Sequence, residues 1–419
     1  MKILFKNALI LSMRNERIVE GELLVIDTRI AYIGKDASGY APFDRVIDCQ
    51  GNLIMPGLKN AHTHSAMIFL RDKGKNLSLQ DWLFKFVFPR EARLIPSDIY
   101  HLNKVAFLEY IASGTTACFD QYFFPPEGVK AAEEMGMRML TMGMYDEKLR
   151  PVDVLAKYYR FYNDKKDGLV RFIIGMHAEY TSNPELISKT KEALELLKSP
   201  FYTHVSETKK EVDECVGRHG VTPLKYLFDQ GLYKYGGGAY HCVHFTDGEV
   251  KICEENHIFM VSCPGSNIYL SSGTAPLSKY LKSNVNIALG TDGPASNESL
   301  DMFREMRLAA TREGVEIPPF EILKMATVNG AHAMYFDDAD VLDVGKYADL
   351  IMVDLSKSKS KKSKDIIYDL VHKYDGSSVK LTMINGKILY ENGQHNLNQS
   401  IEEIYKNADE ATRRLEKDL

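Results

Sequence analysis

Over the first 55 residues, apolar side chains alternate with polar ones in short runs broken by Gly and Asp: Lys2 to Leu11, Glu22 to Val25, Arg29 to Gly34 and Arg45 to Asp48. A two-residue period of this kind predicts β-strands, and no helix of useful length fits there. From about residue 53 to 335 the pattern changes. Apolar runs now alternate with stretches whose apolar positions recur every three to four residues, such as Pro96 to Ser113, Pro184 to Lys198 and Leu300 to Glu313. This is the sequence form of repeated βα units. The runs are Leu53 to His64, Gly114 to Tyr122, Arg138 to Tyr145, Val170 to Tyr180, Phe201 to Glu207, Gly238 to Phe245, Ile258 to Asn267 and Val285 to Gly293. Eight parallel strands within about 280 residues predict an α/β fold of the (β/α)8 TIM-barrel type.

Strand patterning returns with Ala348 to Asp354 and Lys380 to Leu389, where Asn385-Gly386 is a hairpin signal. Each strand-rich end is too small to bury a core alone, so the two are expected to pair into one small β-sandwich. The expected organisation is a sandwich of residues 1–55 plus 343–395, a barrel over 56–342, and a C-terminal helix over 396–419. That helix places Ile401, Ile404, Tyr405, Ala408, Ala411 and Leu415 on one side. Five lysines among the nine residues from Ser356 to Lys364 read as a solvated loop between two strands, with an electrostatic docking patch as the alternative.

Composition narrows the partners. The 419 residues carry 52 Lys and Arg against 57 Asp and Glu, a net charge of −5, so no positive field draws nucleic acid or anionic lipid. No apolar run approaches the roughly 18 residues of a membrane span, and the N-terminus alternates like a strand instead of forming a signal peptide. Cys49, Cys118, Cys215, Cys242, Cys253 and Cys263 form no Cys-x-x-Cys pair and lie mostly in apolar segments. They are expected to be buried thiols in a reducing, cytoplasmic setting. Neither a membrane nor nucleic acid is expected as a partner, and a homo-oligomer is compatible with the sequence.

Candidate chemistry collects at the ends of the apolar runs. His62-Thr63-His64 closes the first, and residues two apart on a strand point to the same side. His177 ends the fourth, His204 the fifth, His241 the sixth and Asp292 the eighth. In a barrel the C-terminal strand ends converge on one mouth, so these distant positions become neighbours. Neutral imidazoles of His62, His64 and His204 with the Asp292 carboxylate form a four-ligand set suited to zinc, with a further position left for water. Glu207, three residues after His204, is placed to shuttle a proton, and His241 to hydrogen-bond a hydroxide or oxyanion. Asp292 could also accept the attacking water's proton. The plainer alternatives are a helix N-terminal acid for Glu207 and a turn residue for Asp292.

These segments resemble a known family. His62-Thr63-His64 after Met55-Pro56-Gly57, His204-Val205-Ser206-Glu207-Thr208, Ala239-Tyr240-His241-Cys242-Val243-His244, Cys263-Pro264-Gly265-Ser266-Asn267 and Gly290-Thr291-Asp292-Gly293 are similar to the amidohydrolase superfamily. Within it they resemble the branch of methylthioadenosine/S-adenosylhomocysteine deaminases and related triazine hydrolases, and Gly290 to Ala309 is especially close. The resemblance implies one divalent metal ion, Zn2+ first with Fe2+ or Mn2+ as alternatives. It implies hydrolytic deamination of a purine nucleoside, hydroxide attacking C6 and ammonia leaving. Glu207 would then protonate ring N1, His241 orient the hydroxide and Asp292 receive its proton. It further implies that Glu91 grips the ribose diol, that His177 contacts substrate, and that the segment holding Trp82, the only tryptophan, covers the pocket. For Glu91 the alternative is a helix-surface acid, and for Trp82 plain packing.

One departure bears on specificity. Members that act on the homocysteine conjugate hold its carboxylate with arginines after the third strand. One such position falls here on Met142, and Arg150 corresponds to the other across a shorter loop. An apolar 5′ group is therefore expected to be preferred: 5′-methylthioadenosine, 5′-deoxyadenosine or adenosine over S-adenosylhomocysteine. The competing readings are a related hydrolase acting on a triazine, guanine or cytosine, and a non-catalytic metal-bearing scaffold. The presence of His62, His64, His204, Glu207, His241 and Asp292 together speaks against the scaffold.

Overall fold

The computed structural model describes residues 1–417 apart from 75, 76, 78, 166, 167, 312, 313 and 315. The N-terminal segment supplies β1 (Lys2–Leu11), β2 (Ile18–Ile26), β3 (Arg29–Gly34), β4 (Arg45–Asp48) and β5 (Leu53–Pro56). The middle supplies β6 (Leu58–Thr63), β7 (Thr115–Asp120), β8 (Arg138–Met144), β9 (Val170–Ala178), β10 (Phe201–Val205), β11 (Gly237–His241), β12 (Ile258–Ser262) and β13 (Ile287–Leu289). The last four are β14 (Leu350–Val353), β15 (Val379–Ile384), β16 (Lys387–Glu391) and β17 (Gln394–His395).

Strands β6 to β13 form one parallel sheet in chain order, with helices between them. The other nine form a second sheet, in which the two chain ends meet where β14 pairs antiparallel with β5 and Leu350 lies opposite Pro56. The fold is thus an α/β barrel with a smaller sheet built from both ends, as the patterning predicts.

The barrel closes between β13 and β6. The Asn60 amide Nδ2 donates to Thr291 Oγ1 at 2.7 Å, the Thr291 N–H returns a bond to Asn60 Oδ1 at 2.9 Å, and the Asp292 N–H donates to the His62 carbonyl at 3.0 Å. Gly290 permits this approach, because a Cβ there would stand 2.8 Å from the His62 backbone. At the barrel's other end Arg138 and Asp349 form a fully buried ion pair, Nε to Oδ2 at 2.6 Å, joining β8 to the residue before β14.

The patterning is corrected in three places. The run Leu53 to His64 is two strands, not one: β5 belongs to the small sheet and β6 to the barrel. The chain changes sheets at Pro56, which has no N–H to give, and Gly57, where a Cβ would come within 2.1 Å of the Thr116 side chain. The lysine-rich run is not simply a loop between strands. It holds a short 3-10 turn and leads into a helix, Ser363–His372, that buries Ile366, Ile367, Leu370 and Val371. The helix expected over Leu300 to Glu313 starts at Met302 and runs to Thr311; Glu313 lies outside the described residues.

The tail is a helix, Ile401–Glu416, that buries Ile404, Ala408, Ala411 and Leu415, while Tyr405 turns outward; residues 418 and 419 lie outside the described residues. It packs on the helix Pro96–Ala112, with Arg414 paired to Asp98 and Glu416 to Lys73. The six cysteines are free and buried. Among the described residues no helix is long and apolar enough to cross a membrane.

Candidate active site

The strand ends bring the polar residues together. His62 lies near the end of β6 with His64 just beyond it, His204 lies on β10, His241 ends β11, and Asp292 follows β13. Above them opens a cavity of 660 Å³, lined among others by His64, His177, His204, Glu207, His241 and Asp292.

The imidazoles are held from their outer sides. His64 Nδ1 lies 2.6 Å from the Gln121 carbonyl, His204 Nδ1 lies 2.7 Å from the His177 carbonyl, and His241 Nδ1 lies 2.8 Å from Asn267 Oδ1. Each bond places the ring proton on Nδ1 and turns the Nε2 lone pair inward. Asp292 Oδ1 stands 3.5 Å from His62 Nε2 and 3.2 Å from His64 Nε2. One ligand atom from each of His62, His204, His241 and Asp292 falls within 4.8 Å of all the others. His241 therefore sits among the potential ligands, although the sequence reading gave it another role. Its Nε2 faces Glu207 Oε2 at 3.7 Å. Tyr240 stacks under His62 with ring centroids 3.7 Å apart.

Burial sets the charges. It lowers His62 to about 3, His177 to about 4 and His204 well below the usual imidazole range, so these rings stay neutral at physiological pH. Burial alone would raise Asp292, but the imidazoles of His62 and His64 beside it outweigh burial and hold the carboxyl well below its usual range. Both nitrogens of His62 and Nε2 of His241 are buried and have no hydrogen-bond partner among the described residues. Buried polar atoms left unpaired around neutral imidazoles and a carboxylate fit a divalent cation with nitrogen and oxygen ligands. A second potential group, Glu179, Cys215 and His219, differs, since Arg218 Nη2 lies 2.5 Å from the Glu179 carboxylate and His219 Nε2 lies 2.8 Å from it.

The remaining candidates line the cavity wall. Glu91 follows a π-helical turn, Trp82–Val87, in which the Phe88 N–H reaches back to Leu83, and it accepts a hydrogen bond from the Tyr122 hydroxyl at 2.7 Å. Burial raises the Glu91 carboxyl, opposed by that bond. Trp82 is buried in the wall, and its indole Nε1 has no hydrogen-bond partner among the described residues. His177 presents a half-buried ring. Arg150 also belongs to the lining, with Nε donating to the Met144 carbonyl at 2.8 Å. Met142 does not reach the cavity. It packs in the barrel interior, its sulfur close against Gly175, while Met144, one layer higher on β8, lines the cavity.

Ser206, His241 and Asp292 all have positive φ, at 54°, 69° and 59°. Such backbones cost on the order of 1–3 kcal/mol each and persist only where surroundings fix them. The fixing groups escaped the sequence reading. Glu211 accepts the N–H groups of Ser206 at 2.7 Å and Glu207 at 2.8 Å, and Ser266 and Ser296 donate to Asp292 Oδ2 at 2.5 and 2.9 Å. Glu211 lies four residues after Glu207, in the first turn of the helix Lys209–His219, and this was the available signal.

A family model described as the amidohydrolase family matches residues 53–389. The chain belongs to that family. It is 38% identical over 408 residues, 93% of each chain, to the 5-methylthioadenosine/S-adenosylhomocysteine deaminase of Caldanaerobacter subterraneus subsp. tengcongensis. It is 36% identical over 404 residues, again 93% of each chain, to the 5′-deoxyadenosine deaminase of Methanosarcina acetivorans. A crystal structure of an adenosine deaminase from Xanthomonas campestris with bound zinc superposes with a TM-score of 0.89 at 28% identity, covering 99% of this chain and 98% of that one.

Proposed function

We propose that this amidohydrolase is a metal-dependent hydrolytic deaminase of adenine nucleosides, acting on 5′-methylthioadenosine, 5′-deoxyadenosine or adenosine and less well on S-adenosylhomocysteine. The observation that carries the reading is Glu207. It is a buried carboxyl lining the cavity, raised by burial against the pull of His241, and it faces the imidazole cluster. Relatives named as deaminases of such nucleosides support it along nearly the whole chain.

In this reading His62, His64, His204 and Asp292 hold one divalent cation, zinc before iron or manganese. Bound there, the cation supplies a Lewis acid and a hydroxide nucleophile at neutral pH. Glu207 carries the proton given to ring N1, which makes C6 electrophilic. His241, whose Nδ1–H is committed to Asn267 Oδ1, orients the nucleophile from Nε2. Asp292 takes up the proton the nucleophile releases. Glu91 accepts the ribose hydroxyls, His177 and Trp82 hold the nucleoside against the wall, and Arg150 meets the 5′ end. The free, buried thiols support a cytoplasmic location.

The test is ammonia release from purified protein offered these nucleosides, guanine, cytosine and a triazine, with metal analysis on the same sample. Ammonia from the adenine nucleosides is expected. Turnover confined to guanine, cytosine or the triazine would overturn the reading. Glu207→Gln should lower turnover by at least about 100-fold while metal content is retained.

A further inference from the structure

The segment that follows β12 touches three of the groups assigned to the chemistry. Ser266 Oγ donates to Asp292 Oδ2 at 2.5 Å, Asn267 Oδ1 meets His241 Nδ1 at 2.8 Å, and Ser272 Oγ donates to Glu207 Oε1 at 2.8 Å. The third contact decides something the others do not. The terminal torsion of a glutamate is broad and two-fold, so its two oxygens are interchangeable unless a partner tells them apart.

We infer that Ser272 is a positioning residue for Glu207: its hydroxyl occupies Oε1, so the proton passed to the substrate ring is carried on Oε2. This rests on the proposed role of Glu207 as the proton donor. Oε2 is the oxygen that faces His241 Nε2, at 3.7 Å, and so points to the cluster beneath the cavity. Ser272 is 4% exposed, which removes competing water from its hydroxyl. Its backbone is pinned on both sides, by its own N–H to the Asn267 carbonyl at 2.8 Å and by His244 Nε2 against its carbonyl at 2.9 Å. The segment is anchored in turn by the Gly265 N–H on Glu305 Oε2 at 2.7 Å. The hydroxyl is therefore delivered by a fixed frame, and the Glu207 backbone is fixed independently by Glu211. Removing Oγ leaves both frames in place and frees only the choice of oxygen.

The experiment compares wild type, Ser272→Ala and Ser272→Thr as purified metal-loaded proteins, reading kcat and KM for 5′-methylthioadenosine, metal content and thermal melting. Ser272→Ala is expected to lose 10- to 100-fold in kcat, with KM within about two-fold, metal content unchanged and melting close to wild type. Ser272→Thr, which keeps the hydroxyl, is expected to recover most of that loss. Ser272→Ala within about three-fold of wild type in kcat, a loss carried by KM, loss of metal, or a Ser272→Thr variant as poor as Ser272→Ala would each overturn the inference. If wild type releases no ammonia from any adenine nucleoside, the functional reading fails instead, so the two failures are distinct.

Discussion

Asn60 and Thr291 exchange two hydrogen bonds across the seam where the last barrel strand returns to the first. The neighbouring residues His62 and Asp292 are brought together by that seam, and it determines whether the eighth strand's carboxylate reaches the first strand's imidazoles.

Replacing Asn60 by Ala strands the buried Thr291 N–H, while the Thr291 hydroxyl keeps its bond to the Asp292 carbonyl, and one unpaired buried group costs about 1–3 kcal/mol. The variant is expected to unfold at lower denaturant and to release its metal faster on dialysis against a chelator. Equal metal retention would show that the seam does not govern the site.

Arg150, proposed to meet the 5′ end of the nucleoside, is the one arginine of the cavity lining among the described residues, and Met144, Tyr145 and Met176 belong to the same lining. One of its donors is already spent on the Met144 carbonyl. The expected kcat/KM is higher for 5′-methylthioadenosine than for S-adenosylhomocysteine, and Arg150→Gln should depress the latter at least ten-fold more than the former, about 1.4 kcal/mol of discrimination. A clear preference for the homocysteine conjugate in wild type would refute it. The apolar residue of β8 that lines the cavity is Met144, not Met142 as the family resemblance implies.

Burial pushes the Glu305 carboxyl from its ordinary 4.5 up to about 7, against hydrogen bonds from Asn297 and the Gly265 N–H. With the folded value above the unfolded one, the folded state binds more protons between pH 4.5 and 7. The stability this residue contributes is complete below pH 4.5, falls across that window and is constant above it. Denaturant unfolding of wild type against Glu305→Gln should show the difference shrinking by up to about 3 kcal/mol from pH 4.5 to 8. A difference independent of pH would place the titration elsewhere.

The barrel was legible because its strands are apolar runs and its polar strand ends interrupt them: His62, His204, His241 and Asp292 stand out against Leu, Ile and Val. The Asn385-Gly386 turn between β15 and β16 was legible for the same local reason. The change of sheet at Gly57 was not, since both halves of Leu53 to His64 are equally apolar and the cause is Thr116, distant in sequence. The helix Ser363–His372 was hidden by the lysines before it. Asn267, Ser272 and Glu305 act through partners 26 to 65 positions away, and nothing in their local pattern distinguishes them from ordinary loop and helix polar residues.

The pairing of β5 with β14 has a consequence for the order in which the protein is made. The apolar strand Leu53–Pro56 leaves the ribosome early, and its partner Leu350–Val353 follows roughly 300 residues later. At synthesis rates of about 5–20 residues per second, the edge of β5 stays uncovered for roughly 15–60 s. During that interval β5, paired with β1 on one side, leaves its other edge open, the kind of edge that recruits other chains. The yield of native protein is thus expected to depend on how well residues 53–56 are sheltered until residues 350–353 arrive.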